Sequence, residues 1–327
     1  MKVSCGLLPD ARIVERARLA ESLGYDRVWS YDSPALYGDV FIALGRVAEA
    51  TDRIGLGTGV LVPHTRHVLV TASAIAAIEQ LAPGRLAIAI GTGFTARQTF
   101  GQKAIPWNRL ERYIRDLRAL LRGETVEVDG RALRMLHPAP VAPARPIATP
   151  ILVAANGARG LAVAREVGDG VLAAAAPIPG FAWSALLQAG TVLEEGENLH
   201  SPRVVEAIGP AVAAMYHGAY GAGGVDALPG GSGWREEIEA FPEAERHLHV
   251  HEGHFVELSE RDRRHIDMTL GAATLTGRAD EVAERLAGLE AAGATEIMYC
   301  PMGDVERELR AMASAAGFGA RDRTASA

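Results

Sequence analysis

The sequence predicts a (β/α)8 barrel, a TIM barrel, on three observations. A grammar of amphipathic helix, glycine stop and short apolar run repeats along the chain. The apolar runs are nearly continuous rather than alternating, as in parallel strands covered on both faces. Eight such units in 327 residues suit closure into one barrel. An open doubly wound sheet is the other way to arrange the same units.

The elements follow in order. Residues 3–8 form the first strand, and 11–23 have helical spacing with Gly24 placed to cap them. Residues 27–30 are the second strand, 41–50 a helix, and 53–60 the third strand. A helix over 72–81 ends at Pro83-Gly84, and 85–90 is the fourth strand. After a helix over 107–121, the proline-rich stretch 123–150 predicts an extended excursion. Residues 151–155 and 170–175 are strands five and six, with a helix over 161–167 between them. Residues 204–208 read as strand seven, 279–292 as a helix stopped by Gly293, and 296–300 as strand eight. The glycine-rich, then charged and histidine-rich segment 218–264 is an insertion between strand seven and the last helices, long enough for a lid or binding loop. Residues 1–317 thus form a single domain, with 318–327 as a flexible tail.

The formal net charge of −7 offers no basic footprint for nucleic acid. No apolar run approaches the roughly 20 residues of a membrane span, and MKVSCGLLPD has no secretory core. Cys5 and Cys300, the two cysteines, make no disulfide framework. A cytoplasmic protein is expected. Cys5 and Cys300 fall on strands one and eight, neighbours in a closed barrel, and read as small core residues.

Function in such a barrel gathers where strands run into the following loops. Strand two ends in Tyr31-Asp32-Ser33-Pro34. Strand three ends in Thr58-Gly59-Val60 and opens into Pro63-His64-Thr65-Arg66-His67. Strand four ends in Gly91-Thr92-Gly93-Phe94, with Arg97 beyond, and strand five in Asn156-Gly157-Ala158-Arg159-Gly160. Gly55, Gly57 and Gly59 weaken a strand unless a backbone or ligand must come close. Their spacing is not that of a dinucleotide fingerprint. Bare backbone at the rim and helix N-termini beside it suit a flat, phosphorylated ligand. Asp32 serves either such a ligand or a turn before Pro34. Asn156 reads equally as a helix cap or a ligand contact, and Arg97 as a phosphate contact or a solvated side chain. His64 is attractive for proton transfer because its ordinary pKa lies near neutrality. The run HLHVHEGHF places His247, His249, His251 and His254 close in sequence, but HEGH is not the H-E-x-x-H ligand pattern, and no metal site is expected.

GYDRVWSYD, RIGLGTGVLVPHTRHVLVTASAIAAIEQLAPGRLAIAIGTG, ANGARG and LTGRADEVAERLAGLEAAGATEI together resemble the bacterial-luciferase-like superfamily. The resemblance runs from about Gly6 to Ser314 and is closest to the branch, methylenetetrahydromethanopterin reductase-like, that uses the deazaflavin coenzyme F420. It implies an oxidoreductase moving a hydride between F420 and a small organic substrate, commonly as a dimer or larger homo-oligomer. An FMN-dependent monooxygenase using O2 is the alternative within the superfamily, and a non-catalytic flavin-binding protein the alternative outside catalysis. The resemblance further implies a bulge with a non-proline cis peptide at Gly59-Val60, backing the deazaflavin ring. It puts Asp32 near the ring, and Asn156, Gly157 and Ala158 on the phosphate side. Two departures stand out: Ser33 replaces a family histidine, and Phe94 replaces the acidic residue that follows G-T-G in members oxidising glucose 6-phosphate. That reaction is therefore not implied.

Overall fold

The computed structural model describes residues 1–63 and 65–318. The candidate His64 and the tail from residue 319 lie outside the described residues. Strand β1 (Lys2–Leu7) leads to helix α1 (Ile13–Leu23), then β2 (Arg27–Ser30), α2 (Val40–Ala50), β3 (Gly55–Leu61), α3 (Val68–Leu81) and β4 (Leu86–Ile90). Helices α4 (Phe94–Gln98) and α5 (Trp107–Arg122) follow, then a small hairpin, β5 (Val126–Val128) and β6 (Arg131–Leu133). Next come β7 (Ile151–Ala154), α6 (Ala158–Val167), β8 (Gly170–Ala173) and β9 (Ser184–Ala189). The chain continues through α7 (Pro202–Gly221), α8 (Gly231–Glu239), α9 (Arg246–Val250), α10 (Glu260–His265) and α11 (Ala279–Ala291) to β10 (Glu296–Cys300) and α12 (Val305–Ala315).

Eight of these strands close a barrel in the order β1-β10-β9-β8-β7-β4-β3-β2. From β1 through β9 neighbouring barrel strands pair in parallel, with Trp29 opposite Gly57 and Ile88 opposite Ile151. Glycine ends α1 and α5: Gly24 and Gly123 take φ of 93° and 86°, left-handed conformations that let their N–H groups return to the last helical carbonyls. Cys5 and Cys300 are both buried, on the adjacent strands β1 and β10. The chain packs as two compact units. One comprises residues 1–94, 104–187 and 292–298, the other 95–103, 188–291 and 299 onward. Among the described residues no helix is long and apolar enough to cross a membrane.

The three alternate glycines of β3 have a structural cause. They share one face of the strand, and large side chains occupy the space that Cβ atoms would need. A Cβ on Gly55 would stand 2.9 Å from the Arg27 guanidinium, and one on Gly59 2.9 Å from the Met298 methyl. A Cβ on Gly57 would overlap the six-membered ring of Trp29. That indole is fully buried, and its Nε1 donates to Glu296 Oε1 at 2.8 Å. Trp183 Nε1 donates to the other carboxylate oxygen at 2.8 Å. Arg27 lies over both indoles, 5.3 and 5.2 Å from their ring centres, in reach of cation–π attraction. One buried carboxylate thus satisfies two indoles while the glycines make room for one of them.

One sequence expectation is corrected. Residues 204–208, expected as strand seven, lie inside α7; the seventh strand of the barrel is Ser184–Ala189. Val204-Val205 favoured a strand locally, but Ser201-Pro202 is a helix start with proline at the first position. The segment 218–264 does lie between the seventh barrel strand and the last helices, and it is mostly helical, running from the end of α7 through α8, α9 and part of α10. The stretch 123–150 does leave the barrel, and it carries the β5–β6 hairpin.

Gly57→Ala should lose about 1–3 kcal/mol of stability, the ordinary cost of overfilling a packed interior. Gly288 sits exposed within α11 with nothing near its missing Cβ, so Gly288→Ala should gain up to ~1 kcal/mol. Denaturant unfolding of both variants checks the contrast, and a harmless Gly57→Ala would contradict the packing argument.

Candidate active site

Just beyond β2, Asp32 is buried rather than open at the rim. Its Oδ2 accepts from the Val62 backbone N–H at 3.1 Å, and one Arg66 nitrogen lies 2.8 Å from both carboxylate oxygens. The second terminal nitrogen of Arg66 donates to Asp39 Oδ2 at 2.7 Å. Asp39 is also the N-cap of α2, its Oδ1 accepting from Phe41 and Ile42 N–H. Arg66 therefore joins the loop after β2 to the loop after β3. Burial pushes the Asp32 carboxyl up, and Arg66, by charge and then hydrogen bonding, only partly pulls it back. Below the same loop, the Tyr113 and Thr71 hydroxyls lie 2.7 Å apart, and burial pushes the Tyr113 phenol up to about 12.

At the end of β3 the register with β4 slips. Gly59 pairs with Ala89 and Leu61 with Ile90, so Val60 is an extra residue, a bulge. The Gly59–Val60 peptide is cis. Val60 is the one residue of β3 that is not fully buried. The Thr58 hydroxyl donates to the Ala89 carbonyl at 3.1 Å and ties the two strands together. Gly91, just after β4, gives Val60 its space: a Cβ there would come 3.1 Å from Val60 Cγ2 and 3.3 Å from the Ala154 Cβ of β7. Thr92 accepts from the Ile105 N–H through its carbonyl, and Gly93 takes a left-handed φ of 78°.

Beyond β7, Asn156 Oδ1 accepts from the N–H groups of Ala174 and Ala175 at 2.9 and 3.3 Å, which pins the chain leaving β8. Gly157 is the N-cap of α6, and no side chain caps that helix. Ala158 and Arg159 are exposed in its first turn. A helix start of this kind presents unsatisfied N–H groups and partial positive charge, with a guanidinium beside them. Since β3, β4 and β7 are neighbours in the barrel, the structure brings Thr58–Val60, Gly91–Gly93 and Asn156–Ala158 to one stretch of the rim.

Arg97, on α4 in the second unit, donates from Nε to the Lys103 carbonyl at 2.7 Å. His67 caps α3, its Nδ1 accepting from the Leu69 N–H. Ser33 is buried and Phe94 is exposed. The part that sequence reading missed is the clamp itself. Asp39 before the apolar run of α2 was a visible cap signal, but nothing local ties Arg66 to Asp32.

Residues 8–296 match the family described as luciferase-like monooxygenase. A 5,10-methylenetetrahydromethanopterin reductase of Methanolobus tindarius is 35% identical over 170 residues, half of each chain. The chain thus spans about half the length of the curated relatives it matches. Among solved structures, the coenzyme F420 dependent tetrahydromethanopterin reductase of Methanopyrus kandleri superposes with a TM-score of 0.66 at 20% identity, covering 96% of this chain and 98% of that one. The oxygenating constituent of 3,6-diketocamphane monooxygenase from Pseudomonas putida, in complex with FMN, superposes with a TM-score of 0.65 at 12% identity, covering 96% and 97%. These likenesses agree with the barrel.

Removing one partner of a buried ion pair leaves the other's charge poorly compensated. Asp32→Ala should therefore cost about 3 kcal/mol, whereas Asp39→Ala should cost about 1 kcal/mol, the loss of a helix cap. Unfolding curves at neutral pH check the order. Equal losses would mean that Asp32 and Asp39 anchor Arg66 equally and would contradict the order expected.

Proposed function

Because the chain belongs to the luciferase-like monooxygenase family, we propose that it is an oxidoreductase moving a hydride between coenzyme F420 and a small organic substrate. The observation that carries the reading is the spacing of two features on the rim. Val60 stands out from β3 over the bare Gly91, and the uncapped start of α6 lies two strands away. Neighbouring strands are about 4.8 Å apart, so the two features are separated by roughly 10 Å. A tricyclic ring linked through a five-carbon chain to a phosphate fits such a span.

The residues present suit that group. Val60 offers an apolar surface for one ring face, with Gly91 giving its side chain room. The first-turn N–H groups of α6 at Ala158 to Gly160, with Arg159, would hold the phosphate. Asn156 would act by fixing the β8 loop beside it, and Asp32 by holding the chain that follows the bulge through Val62 and Arg66. Arg97 would meet the acidic tail. When bound, F420 supplies two-electron hydride chemistry; the protein orients the ring and keeps water from it. Ser33 and Phe94 provide no titrating acid–base pair near neutrality, so no side chain between them is assigned as proton donor. His64 keeps its proposed place as a proton-transfer residue.

F420 is favoured over FMN by the relatives whose names carry it, including the F420-dependent hydroxymycolic acid dehydrogenase of Mycobacterium tuberculosis. The same reading has the enzyme working as a cytoplasmic homodimer, with neither nucleic acid nor membrane as partner.

Fluorescence titration of the purified protein with F420 and with FMN tests the assignment. We expect F420 to bind at least tenfold more tightly, about 1.4 kcal/mol. Equal or tighter FMN binding would instead favour the oxygen-dependent monooxygenase. Tight F420 binding without turnover of any alcohol, aldehyde or imine substrate would favour the non-catalytic flavin-binding protein.

A further inference from the structure

Three histidines meet inside the second unit, outside the rim just described. His217, on α7, and His251, just after α9, are each 1% exposed; His254, three residues on, is partly buried. One ring nitrogen from each lies within 4.8 Å of the others. Ring centres are 5.5 Å apart for His217 and His251, 5.4 Å for His217 and His254, and 5.1 Å for His251 and His254.

One outward nitrogen is hydrogen-bonded, and the other faces a carboxylate at ion-pair distance without a hydrogen bond. His251 Nε2 lies 2.7 Å from Gln98 Oε1, and His217 Nε2 lies 3.4 Å from Asp262 Oδ2. An amide oxygen and a carboxylate in those places favour the tautomer with the proton on Nε2 and a lone pair on Nδ1. His217 Nδ1 then faces His254 Nδ1 at 3.0 Å, and His251 Nδ1 is buried without a hydrogen-bond partner. The His217–His254 contact is a hydrogen bond when one ring carries its proton on Nδ1, but the buried His251 Nδ1 is left unsatisfied, which is costly in an apolar interior. A shared cation removes that cost.

We propose that His217, His251 and His254 bind one borderline divalent transition-metal ion of the zinc class, through their Nδ1 atoms. With Zn–N distances near 2.0–2.1 Å, two ligands of a tetrahedral ion stand about 3.4 Å apart. The 3.0 Å pair is slightly shorter than that edge, and modest side-chain rotation opens it and brings the third nitrogen in. Water takes the fourth position on the side of His254, the more accessible ring.

The surroundings compensate the charge. Asp262 is fully buried, and besides facing His217 it accepts from Trp234 Nε1 at 2.6 Å and Ser259 Oγ at 2.6 Å. The nearby cation, Arg261, lies over the Trp234 ring at 5.3 Å and is engaged with Asp262 and Glu252, each at 3.5 Å. Gln98 and Asp262 thus stand behind two ligands as the supports that keep metal-binding imidazoles oriented. The ion ties α4, α7 and the turn after α9 together, a structural role. The two earlier histidines of the run take no part. His249 stacks on Phe241 with ring centres 3.6 Å apart, and the His247 ring lies beside Gly101.

The test uses full-length protein stripped of metal by dialysis against a chelator. Co2+ titration should produce the visible d–d bands of a four-coordinate site at one ion per chain, and Zn2+ should abolish them. Competition with a chromophoric chelator should show Zn2+ affinity falling at least 100-fold in His251→Asn and roughly tenfold in Gln98→Leu. A His247→Ala/His249→Ala double variant should bind as the wild type does. Circular dichroism screens the variants for folding. If His251→Asn does not fold, the wild-type stoichiometry and Gln98→Leu decide. Absence of stoichiometric binding to the wild type, unchanged affinity in Gln98→Leu and His251→Asn, or loss in the double variant would each overturn the site.

Discussion

The room taken by the Trp29 indole inside the barrel is the constraint on which the other arrangements rest. A barrel of eight strands has an interior just wide enough for side chains to fill. Here one large indole occupies a layer of it, and β3 can pass only because Gly57 has no side chain there. Glu296 and Arg27 complete the layer, one accepting from two indole N–H groups and the other lying across their faces. Both indole N–H groups find their acceptor in Glu296, and Arg27 also donates to the Leu56 and Arg85 carbonyls, so the buried charges are partnered.

That filling also decides where a site can lie. Arg27, Trp29 and Met298 pack along the glycine face of β3 and fill the space beside it. Within β3 partial exposure comes at its end, at the Val60 bulge. The loops beyond are held by charge rather than by apolar packing: Arg66 draws Asp32 and Asp39 together, and Asp32 holds the Val62 N–H. A rigid floor with ionically fastened loops is a physical reason for function to gather at this end.

Much of this was legible in the sequence. Seven of the barrel strands were readable from apolar runs bounded by glycine, because parallel strands buried on both faces cannot hide their composition. The eighth, Ser184–Ala189, was not: SALLQA carries no β-branched residue, whereas Val204-Val205 in α7 does. Tertiary packing overrode local preference at both places. The glycine alternation was visible, but its cause was ambiguous, since a ligand and an indole from the neighbouring strand demand the same missing Cβ. The rim positions Thr58–Val60, Gly91–Gly93 and Asn156–Ala158 could be picked out as strand ends. The Asp32–Arg66 pair could not, because 34 residues separate its members. Nor could the meeting of His217 with His251 and His254, which depends on how α7 packs and leaves no spacing pattern behind.

The central claim is that the bulge at Val60 and the start of α6 are two ends of one cofactor site. A crystal structure of the protein saturated with F420 tests it most directly. The account predicts the deazaflavin ring in van der Waals contact with Val60, and the phosphate within hydrogen-bond reach of the backbone N–H groups of Ala158 to Gly160. A fully occupied cofactor with its ring away from Val60, or its phosphate away from the start of α6, would contradict it.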